Sequence, residues 1–375
     1  MVRRVNGERS VKPDNDDRSP RVTVKEVAER AGVHPSTVSR ALSAGTNRVT
    51  ADLVARVLAA AEELSYRPNR LARALRVSQS SSVGMLIPDI LNPAYPPIVR
   101  GAEDALRPAG LSVLLASTDN DVRREREFIT LMLDQRVDGL LLATATRKFG
   151  PLEDLLRARV PVVLANRGIG NNPLPLVTGD DILGIELAVR HLRSLGHQHI
   201  AHLAGTEKVS SGYDRKRAFI RTMKATGAPA KPEAIVSADD FTGPVGITLG
   251  ESLAQELLRR RVSFTAVVAA NDLLAIGCYD VLKRRGLTIP RDVSIIGYND
   301  IALVDRVSPP LTTIHNPLYE IGFTAGEILL NAIKRNGNPS PKQVLAPTLV
   351  VRQSTAPPKN PAAFPRSHRN AVPAS

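Results

Sequence analysis

From residue 83 onward, short apolar runs alternate with amphipathic stretches of helical length, and this pattern restricts the fold more than any other feature. The apolar runs predict buried strands at Val83–Ile87, Leu111–Ala116, Gly139–Ala143, Val160–Ala165, His199–Ala204, Thr265–Ala270 and Val293–Gly297. The stretches between them predict helices at Pro96–Leu106, Arg123–Arg136, Ile182–Leu195, Arg215–Thr226, Gly246–Arg260 and Leu273–Arg285. Strands that alternate with helices form parallel sheets covered on both faces, so this part is predicted to be α/β.

The charge of the chain is strongly positive. The 375 residues are enough for a small domain and a larger one, and they carry a net charge of +13 with a pI near 10.2. Residues 1–80 hold fifteen Lys and Arg against nine Asp and Glu, so positive charge is densest at the front. This balance favours a polyanionic partner, either nucleic acid or an acidic membrane surface.

Cys278 is the only cysteine, so no disulfide forms within the chain and a reducing cytoplasm is expected. Arg3 and Arg4 are followed by no apolar run, so no secretory signal is expected. No stretch approaches 18 uncharged apolar residues, so no membrane span is expected.

Composition and periodicity divide the chain into five segments. We predict a disordered basic arm, a domain of three short helices, a basic linker, a large α/β domain and a disordered tail, at residues 1–21, 22–66, 67–81, 82–356 and 357–375.

The first two helices have clear end signals. Thr23 and Glu26 have the spacing of a capping box, and Gly32 is placed to end the first helix. The second helix begins at His34 and Pro35, with proline where its missing N–H is harmless. Its remaining face, Ser36, Thr37, Ser39 and Arg40, is short and polar apart from one arginine, which suits the major groove of DNA.

The string VTVKEVAERAGVHPSTVSRALS, followed by SYRPNRLARALR, closely resembles the lactose-repressor/galactose-repressor (LacI/GalR) family, and the resemblance continues over about residues 22–355. It implies an N-terminal all-α helix-turn-helix domain with a hinge helix. It also implies a C-terminal α/β domain of two doubly wound parallel-sheet lobes, of periplasmic-binding-protein type, joined by three crossings. Lobe one would hold about 82–178 and 316–345, and lobe two about 179–315 and 346–356.

By this resemblance the second helix reads DNA, and Thr50 would cap the third. The implied DNA-binding residues are Thr23, His34, Pro35, Ser36, Thr37, Ser39, Arg40, Asn47, Asn69, Arg70, Ala74 and Leu75. His34 stands where the family usually has serine. Because imidazole is a poorer helix cap, the sequence leaves that capping and phosphate contact open.

The hinge helix falls within residues 67–81. Arg67, Arg70, Arg73 and Arg76 recur every three residues, so this short segment should form a helix only when phosphates neutralise it. In the family, paired hinge helices enter the minor groove, and Leu75 matches the leucine that opens the central base step.

The resemblance also implies a ligand cleft between the lobes. The implied effector-binding residues are Tyr95, Asn166, Arg215, Phe241, Asn271, Asn299 and Asn316, with Asp272 capping the helix after Asn271. Amides, one guanidinium and one aromatic face suit a sugar, and Arg215 beside neutral Asn166 and Asn299 brings a sugar acid into consideration. Substitution of Arg215 is expected to remove the ligand response and leave operator binding nearly intact.

The predicted function is a DNA-binding transcription regulator, most simply a repressor, controlled allosterically by a small sugar or sugar acid. We expect a homodimer on a pseudo-palindromic operator, because one recognition helix covers a half-site. It would be cytoplasmic and nucleoid-associated. The alternatives are a non-regulatory sugar-binding protein or a sugar-acting enzyme with an accessory DNA-binding domain. An exported solute-binding protein is disfavoured by residues 22–76 and the missing signal.

No cofactor or metal is expected. His191, His197, His199 and His202 cluster in the sequence, but their placement at a helix end and around one strand predicts structural roles rather than a zinc site. Gly168 and Gly170 lack the third glycine of a dinucleotide fingerprint, and no nucleophile–base pair predicts an enzyme.

Leu75→Ala should weaken operator binding and reduce the bending of the DNA. An apolar wedge offsets the cost of unstacking by letting a bent duplex contact more protein surface. A gel-phasing assay measures the bend. An unchanged bend angle with the variant would show that Leu75 does not act as a wedge.

Overall fold

The computed structural model describes residues 22–42, 49–66, 80–171, 173–237, 245–335 and 342–359. The chain divides into two units, Met1–Ser78 and Gln79–Ser375, and each is described by itself. The predicted arm, most of the linker with its hinge helix, and the end of the tail lie outside the described residues. So do Asn47, Asn69, Arg70, Ala74, Leu75 and Phe241.

The described part of the first unit contains the three predicted helices. They are α1 (Val24–Ala31), α2 (Pro35–Ala41) and α3 (Ala51–Glu63). Val27, Val38 and Val57, one from each helix, are fully buried and form the centre of a small apolar core with Ala28 and Ala60. The side chains that the sequence placed on the inner face of each helix therefore meet in one cluster.

The ends of these helices follow the predicted signals with one difference. Thr23 and Glu26 form the capping box, with the Thr23 amide 2.6 Å from the Glu26 Oε2 atom. Gly32 ends α1 with a φ of 64°, a left-handed conformation that favours glycine. Thr50 occupies the N-cap position of α3 as predicted, but its side chain makes no capping hydrogen bond.

The second unit holds two six-stranded sheets. Sheet A has the order β11-β5-β4-β3-β1-β2, and all of its pairs are parallel. Its strands are β1 (Ser82–Ile87), β2 (Ser112–Ser117), β3 (Gly139–Leu142), β4 (Val162–Ala165), β5 (Leu176–Gly179) and β11 (Lys342–Leu345). The helices of this lobe are α4 (Tyr95–Leu106), α5 (Val122–Asp134), α6 (Leu152–Ala158) and α11 (Leu318–Arg335).

Sheet B has the order β12-β10-β9-β8-β6-β7, and β12 pairs antiparallel with β10 while the other pairs are parallel. Its strands are β6 (Ile200–Ala204), β7 (Ile235–Ser237), β8 (Ala266–Ala269), β9 (Ser294–Asn299), β10 (Thr312–His315) and β12 (Thr348–Val350). Its helices are α7 (Asp181–Ser194), α8 (Ser210–Ala225), α9 (Gly246–Arg259) and α10 (Asp272–Arg284).

The two predicted lobes are confirmed, with three crossings between the sheets. The chain crosses after β5, after β10 and after β11, close to the expected positions. All seven predicted strands are present within a residue or two. The sequence missed β5, β7, β10, β11 and β12, which are three or four residues long and include polar segments such as TTIH and KQVL. Its periodicity also missed α6 and α11, and it started α8 five residues late.

The buried histidines are held by protein atoms. His197 lies with Nδ1 2.8 Å from Thr265 Oγ1 and Nε2 2.9 Å from the carbonyl oxygen of Ala356, which ties the C-terminal segment to sheet B. His202 in β6 has Nδ1 2.8 Å from the Val268 carbonyl oxygen, and burial lowers the pKa of His202 to about 4. These contacts agree with the structural roles predicted for both side chains.

Helices α4 and α11 pack with their backbones almost in contact. A Cβ atom added at Gly322 would lie 1.9 Å from the Ile98 carbonyl oxygen, and one at Gly101 would lie 2.1 Å from the Tyr319 carbonyl oxygen. The two glycines therefore allow an approach that no other residue permits. This contact holds α11, which returns from sheet B, against lobe one.

Gly322→Ala should destabilise the second unit by about 1–3 kcal/mol, because the added methyl group meets backbone that cannot move aside. Gly205→Ala is a matched control, since its Cβ would lie 3.8 Å from the nearest atom, Gly212 Cα. The free energy of unfolding, measured with urea, should be nearly unchanged for the control. Equal stabilities of the two variants would contradict the proposed close packing.

Candidate functional site

The N-terminus of α2 is capped by His34. Its Nδ1 atom accepts a hydrogen bond from the Ser36 amide at 3.3 Å and lies 2.9 Å from Ser36 Oγ. Pro35 occupies the first helical position, where no backbone N–H is required. The imidazole therefore supplies the cap that the sequence left open.

The outward face of α2 presents short polar groups and one arginine. Ser36 and Arg40 are exposed, while Thr37 and Ser39 are partly exposed and Val38 is fully buried. Arg40 folds back along the helix, with Nε donating to the Ser36 carbonyl oxygen at 3.2 Å. Such a face offers hydroxyl donors and a guanidinium fork to the edges of bases.

Most of the other predicted DNA-binding residues are not described. Thr23 is exposed beside its capping partner, and Pro35 is partly exposed at the start of α2. Asn47, Asn69, Arg70, Ala74 and Leu75 lie outside the described residues, so their roles stay predictions.

In the second unit, polar side chains follow the carboxyl ends of the central strands. Asn166 follows β4 in lobe one, Asn299 ends β9 in lobe two, and Asn316 follows β10 at a crossing. In doubly wound sheets, ligands bind beyond these carboxyl ends. The structure thus places these three predicted residues at the sheet edges where a ligand would bind.

The two lobes touch directly through two loops of lobe one and the start of α8. The Arg147 amide donates to the Lys208 carbonyl oxygen at 2.8 Å, and the guanidinium of Arg147 lies 3.6 Å from the centre of the Tyr213 ring. The Gly168 amide donates to Ser210 Oγ at 2.9 Å. These contacts hold α8, which carries Arg215, against lobe one.

Arg215 is the most constrained predicted ligand residue. It is 6% exposed, and its Nε donates to Asp181 Oδ1 at 2.7 Å while Nη1 donates to the Ala270 carbonyl oxygen at 2.5 Å. The guanidinium also stacks on the buried Tyr298 ring, 3.6 Å from its centre. Burial opposes the charge, but the Asp181 carboxylate outweighs it and raises the pKa of Arg215.

This ion pair gives Arg215 a structural role in addition to the ligand-binding role predicted from the sequence. Without Arg215, the Asp181 carboxylate would remain buried without its partner, a loss that typically costs about 3–5 kcal/mol. Substitution of Arg215 would therefore lower folding stability, whatever its effect on a ligand. No sequence pattern marked Asp181, because it lies 34 residues from Arg215 on another helix.

Asn316 is buried, at 2% exposure, where the chain crosses from β10 to α11. Among the described residues, neither its Oδ1 nor its Nδ2 atom has a hydrogen-bond partner. It lies against Gly179 at a second crossing, where an added Cβ would be 2.0 Å from Asn316 Oδ1. A buried amide without partners is costly in a folded protein and calls for a functional explanation.

The prediction that Asp272 caps α10 is wrong. Asn271 is the N-cap, and its Oδ1 accepts from the Leu274 amide at 2.9 Å. Asp272 is fully buried and accepts from the Ile301 amide at 2.9 Å and from the Thr313 hydroxyl, so it ties α10 to sheet B. Both residue types cap helices, and the sequence alone did not distinguish which one begins the helix.

Two of the predicted asparagines adopt left-handed backbone conformations, with φ of 66° at Asn166 and 108° at Asn299. Asparagine tolerates this region better than most residues. Such backbone is concentrated at sites whose side chains need a particular direction.

Tyr95 is the first residue of α4 and is almost fully buried, with the guanidinium of Arg167 5.9 Å from the centre of its ring. Arg167 follows Asn166 and reaches the loop after β2, where Nη1 lies 3.1 Å from Asn120 Oδ1. The guanidinium therefore lies across the carboxyl edge of sheet A. Tyr95 was among the predicted ligand residues, whereas sequence reasoning missed Arg167 and Asn120, although the position of Arg167 directly after a strand was a usable signal.

A cavity of about 260 Å³ lies away from this region, at the amino edge of sheet B, and is lined by residues that include His199, Met223 and Val262. Because ligands of such folds bind at the carboxyl edge, we do not assign this cavity to the site. Within the described ranges, no helix is both long and apolar enough to cross a membrane.

Two family descriptions match the chain. Residues 23–69 match the bacterial regulatory proteins of the lacI family, and residues 189–355 match a periplasmic binding protein-like domain. The first match covers α1 to α3, and the second covers most of lobe two and its return crossings.

Similar proteins of known type match most of the chain. The ribose operon repressor of Escherichia coli K12 is 33% identical over 88% of this chain and 99% of that protein. The regulator DegA of Bacillus subtilis is 31% identical over 90% and 99%.

Solved structures of transcription regulators are also similar to this chain. The lac repressor dimer bound to operator and the anti-inducer ONPF has a TM-score of 0.77 and 27% identity, over 90% of this chain and 99% of that one. A regulator from Enterococcus faecium with bound ribose has a TM-score of 0.64 and 30% identity, over 74% and 100%. The chain therefore belongs to the lacI family of bacterial regulatory proteins.

Proposed function

We propose that this regulator represses transcription by binding a pseudo-palindromic operator as a homodimer, and that a small sugar bound between its lobes controls the affinity for DNA. The proposal of a sugar site rests mainly on Asn316, a buried amide at the crossings whose hydrogen-bond partners a ligand would supply. The proposal of operator binding rests on the outward face of α2 and on membership of the family.

The DNA-binding surface is proposed to consist of α2 and its flanking residues. Ser36 and Arg40 are exposed on one face, while Val38 anchors the opposite face in the core. Because one such helix covers only a half-site, two-fold symmetric binding requires a second copy. The lac repressor structure with TM-score 0.77 is a dimer on its operator, which supports this assembly.

The ligand site is proposed to lie where the carboxyl edges of sheets A and B meet. Tyr95, Asn166 and Arg167 would contribute from lobe one. Arg215, Asn271 and Asn299 would contribute from lobe two, with Asn316 at the crossing, while Phe241 stays a prediction. Hydroxyl groups of a sugar both donate and accept, which matches amides and a guanidinium. The ribose repressors and the ribose-bound neighbour support a sugar.

We further propose that the chain has no catalytic activity of its own and acts in the cytoplasm on the nucleoid. The similar proteins named above are regulators, and this supports a regulator over the rival sugar-acting enzyme or non-regulatory sugar-binding protein. Turnover of a bound sugar by the purified protein would favour the rival.

Arg40→Ala should cost about 1–3 kcal/mol of binding free energy on the preferred operator and much less on random DNA, because base contacts carry the discrimination. The operator is first selected from random duplexes with the wild-type protein, and affinities are then measured by fluorescence anisotropy at one fixed salt concentration.

Arg56→Ala is the matched control, since Arg56 is an exposed arginine on α3 that pairs with Asp52 on its own helix. Its effect should be small and similar on both DNAs. If Arg40→Ala lowered the affinity equally for operator and random DNA, Arg40 would be a phosphate contact rather than a base-reading residue.

Asn316→Leu should leave folding stability unchanged or slightly higher and yet abolish most of the ligand response. Leucine has nearly the same shape, and removing a buried amide without partners costs no hydrogen bond within the protein. Losing the amide's bonds to a ligand should lower affinity by about tenfold. Thermal melting with and without saturating D-ribose, D-glucose or D-galactose separates the two effects.

The expected pattern is an unshifted melting temperature without sugar and a smaller sugar-induced shift than in the wild type. A lower melting temperature without sugar, together with a sugar-induced shift equal to that of the wild type, would mean that Asn316 is structural and that the proposed site is misplaced.

A further inference from the structure

The guanidinium of Arg215 is already neutralised by the chain itself. Its Nε lies 2.7 Å from Asp181 Oδ1, and the two side chains are only 8% and 9% exposed. The pair stands on two different helices, Arg215 in α8 and Asp181 at the start of α7. Burial raises the pKa of the Asp181 carboxyl group, and the Arg215 guanidinium and the amino terminus of α7 both oppose that shift.

Further carboxylates surround this pair. Asp180 precedes Asp181 and caps α7, with Oδ1 accepting from the Leu183 amide at 2.9 Å. Asp214 precedes Arg215, and burial together with repulsion from Asp181 raises the pKa of Asp214. Arg147 and Lys342 face Asp214 and partly balance its charge. No net positive charge is therefore left at Arg215.

We propose that Asp181 is a specificity determinant, a built-in counter-ion that keeps Arg215 from pairing with the carboxylate of a sugar acid and so favours uncharged sugars in the cleft. The proposal rests on the sugar-responsive site described above. The sequence suggested a sugar acid because of the charge of Arg215. Asp181 neutralises that charge, so an uncharged sugar is the better ligand.

The physical reason is the different charge that each ligand brings to the pair. An anionic carboxylate that approached Arg215 would also approach Asp181, and in a poorly solvated cleft like charges repel strongly. An uncharged hydroxyl meets no such penalty. A guanidinium has five N–H groups, and in the described part of the chain only Nε and Nη1 of Arg215 have protein acceptors. The remaining N–H groups suit the lone pairs of sugar hydroxyls.

Isothermal titration calorimetry on the full-length protein would measure this discrimination. The probes are matched pairs that differ in one carboxylate: D-glucose with D-glucuronate, D-galactose with D-galacturonate, and D-ribose with D-ribonate. We expect the wild type to bind at least one neutral sugar about tenfold or more tightly than its acid, about the difference that one charge-assisted hydrogen bond supplies.

In the Asp181→Asn variant, the ratio of the dissociation constant of the acid to that of its neutral sugar should fall by about tenfold. The substitution frees the charge of Arg215 for an anion and keeps the shape of the side chain. Asp180→Asn is the matched control. It removes one neighbouring charge but not the partner of Arg215, so its ratio should stay within about threefold of the wild type.

Circular dichroism checks that each variant is folded. Should Asp181→Asn not fold, the double variant Asp181→Asn/Arg215→Gln removes both charges without leaving an unpaired ion, and its ratio should also narrow. An unchanged ratio in the folded variant would overturn the proposal, as would wild-type binding of an acid as tight as that of its neutral sugar. Binding of no probe at all would instead contradict the proposed sugar-responsive function on which the inference rests.

Discussion

Three passages of the chain between its two sheets determine where every candidate ligand group lies. All three occur at carboxyl ends of strands, after β5, β10 and β11. Asp181 and Asn316 are therefore both part of the crossings and part of the candidate site. Residues that absorb a rotation of one lobe against the other lie at such element ends. A ligand that bonds to them acts directly on the segments that must move.

Two buried polar side chains of the candidate site, Arg215 and Asn316, differ in whether the protein supplies their hydrogen-bond partners. Asp181, Ala270 and Tyr298 fix the position of Arg215 and leave some of its N–H groups for a ligand. Asn316 has no partner for either amide atom among the described residues. The first arrangement preorganises a donor before a ligand arrives, and the second stores a cost that a ligand relieves. Arg215 therefore contributes a rigid donor, and Asn316 contributes binding free energy when a ligand supplies its partners.

Periodicity and local end signals such as Thr23 with Glu26 predicted the α/β class and the helices of the N-terminal domain, whereas the two lobes were implied by the family resemblance. The sequence analysis missed β5 (LVTG) and β10 (TTIH), because polar residues interrupt these strands, whereas β3 (GLLL) and β4 (VVLA) have the same length but no polar side chain. It also missed Asp181 as the partner of Arg215 and Arg167 above Tyr95. Those contacts join residues distant in sequence, and no local pattern encodes them. The sequence also could not decide between Asn271 and Asp272 as the helix cap. That choice depends on tertiary contacts, because Asp272 accepts hydrogen bonds from Thr313 and Ile301.

The direct contacts between the lobes bear on how sensitive the regulator is to its ligand. A ligand shifts the balance between two lobe arrangements only by its difference in affinity for them. A shift from 1:99 to 99:1 requires about 10⁴-fold, or roughly 5.5 kcal/mol. Arg147 joins lobe one to Lys208 and Tyr213 of lobe two through protein atoms. These contacts stabilise the lobe arrangement in which they form, so changes at Arg147 would alter the balance between arrangements and with it the ligand concentration required, rather than the ligand chosen.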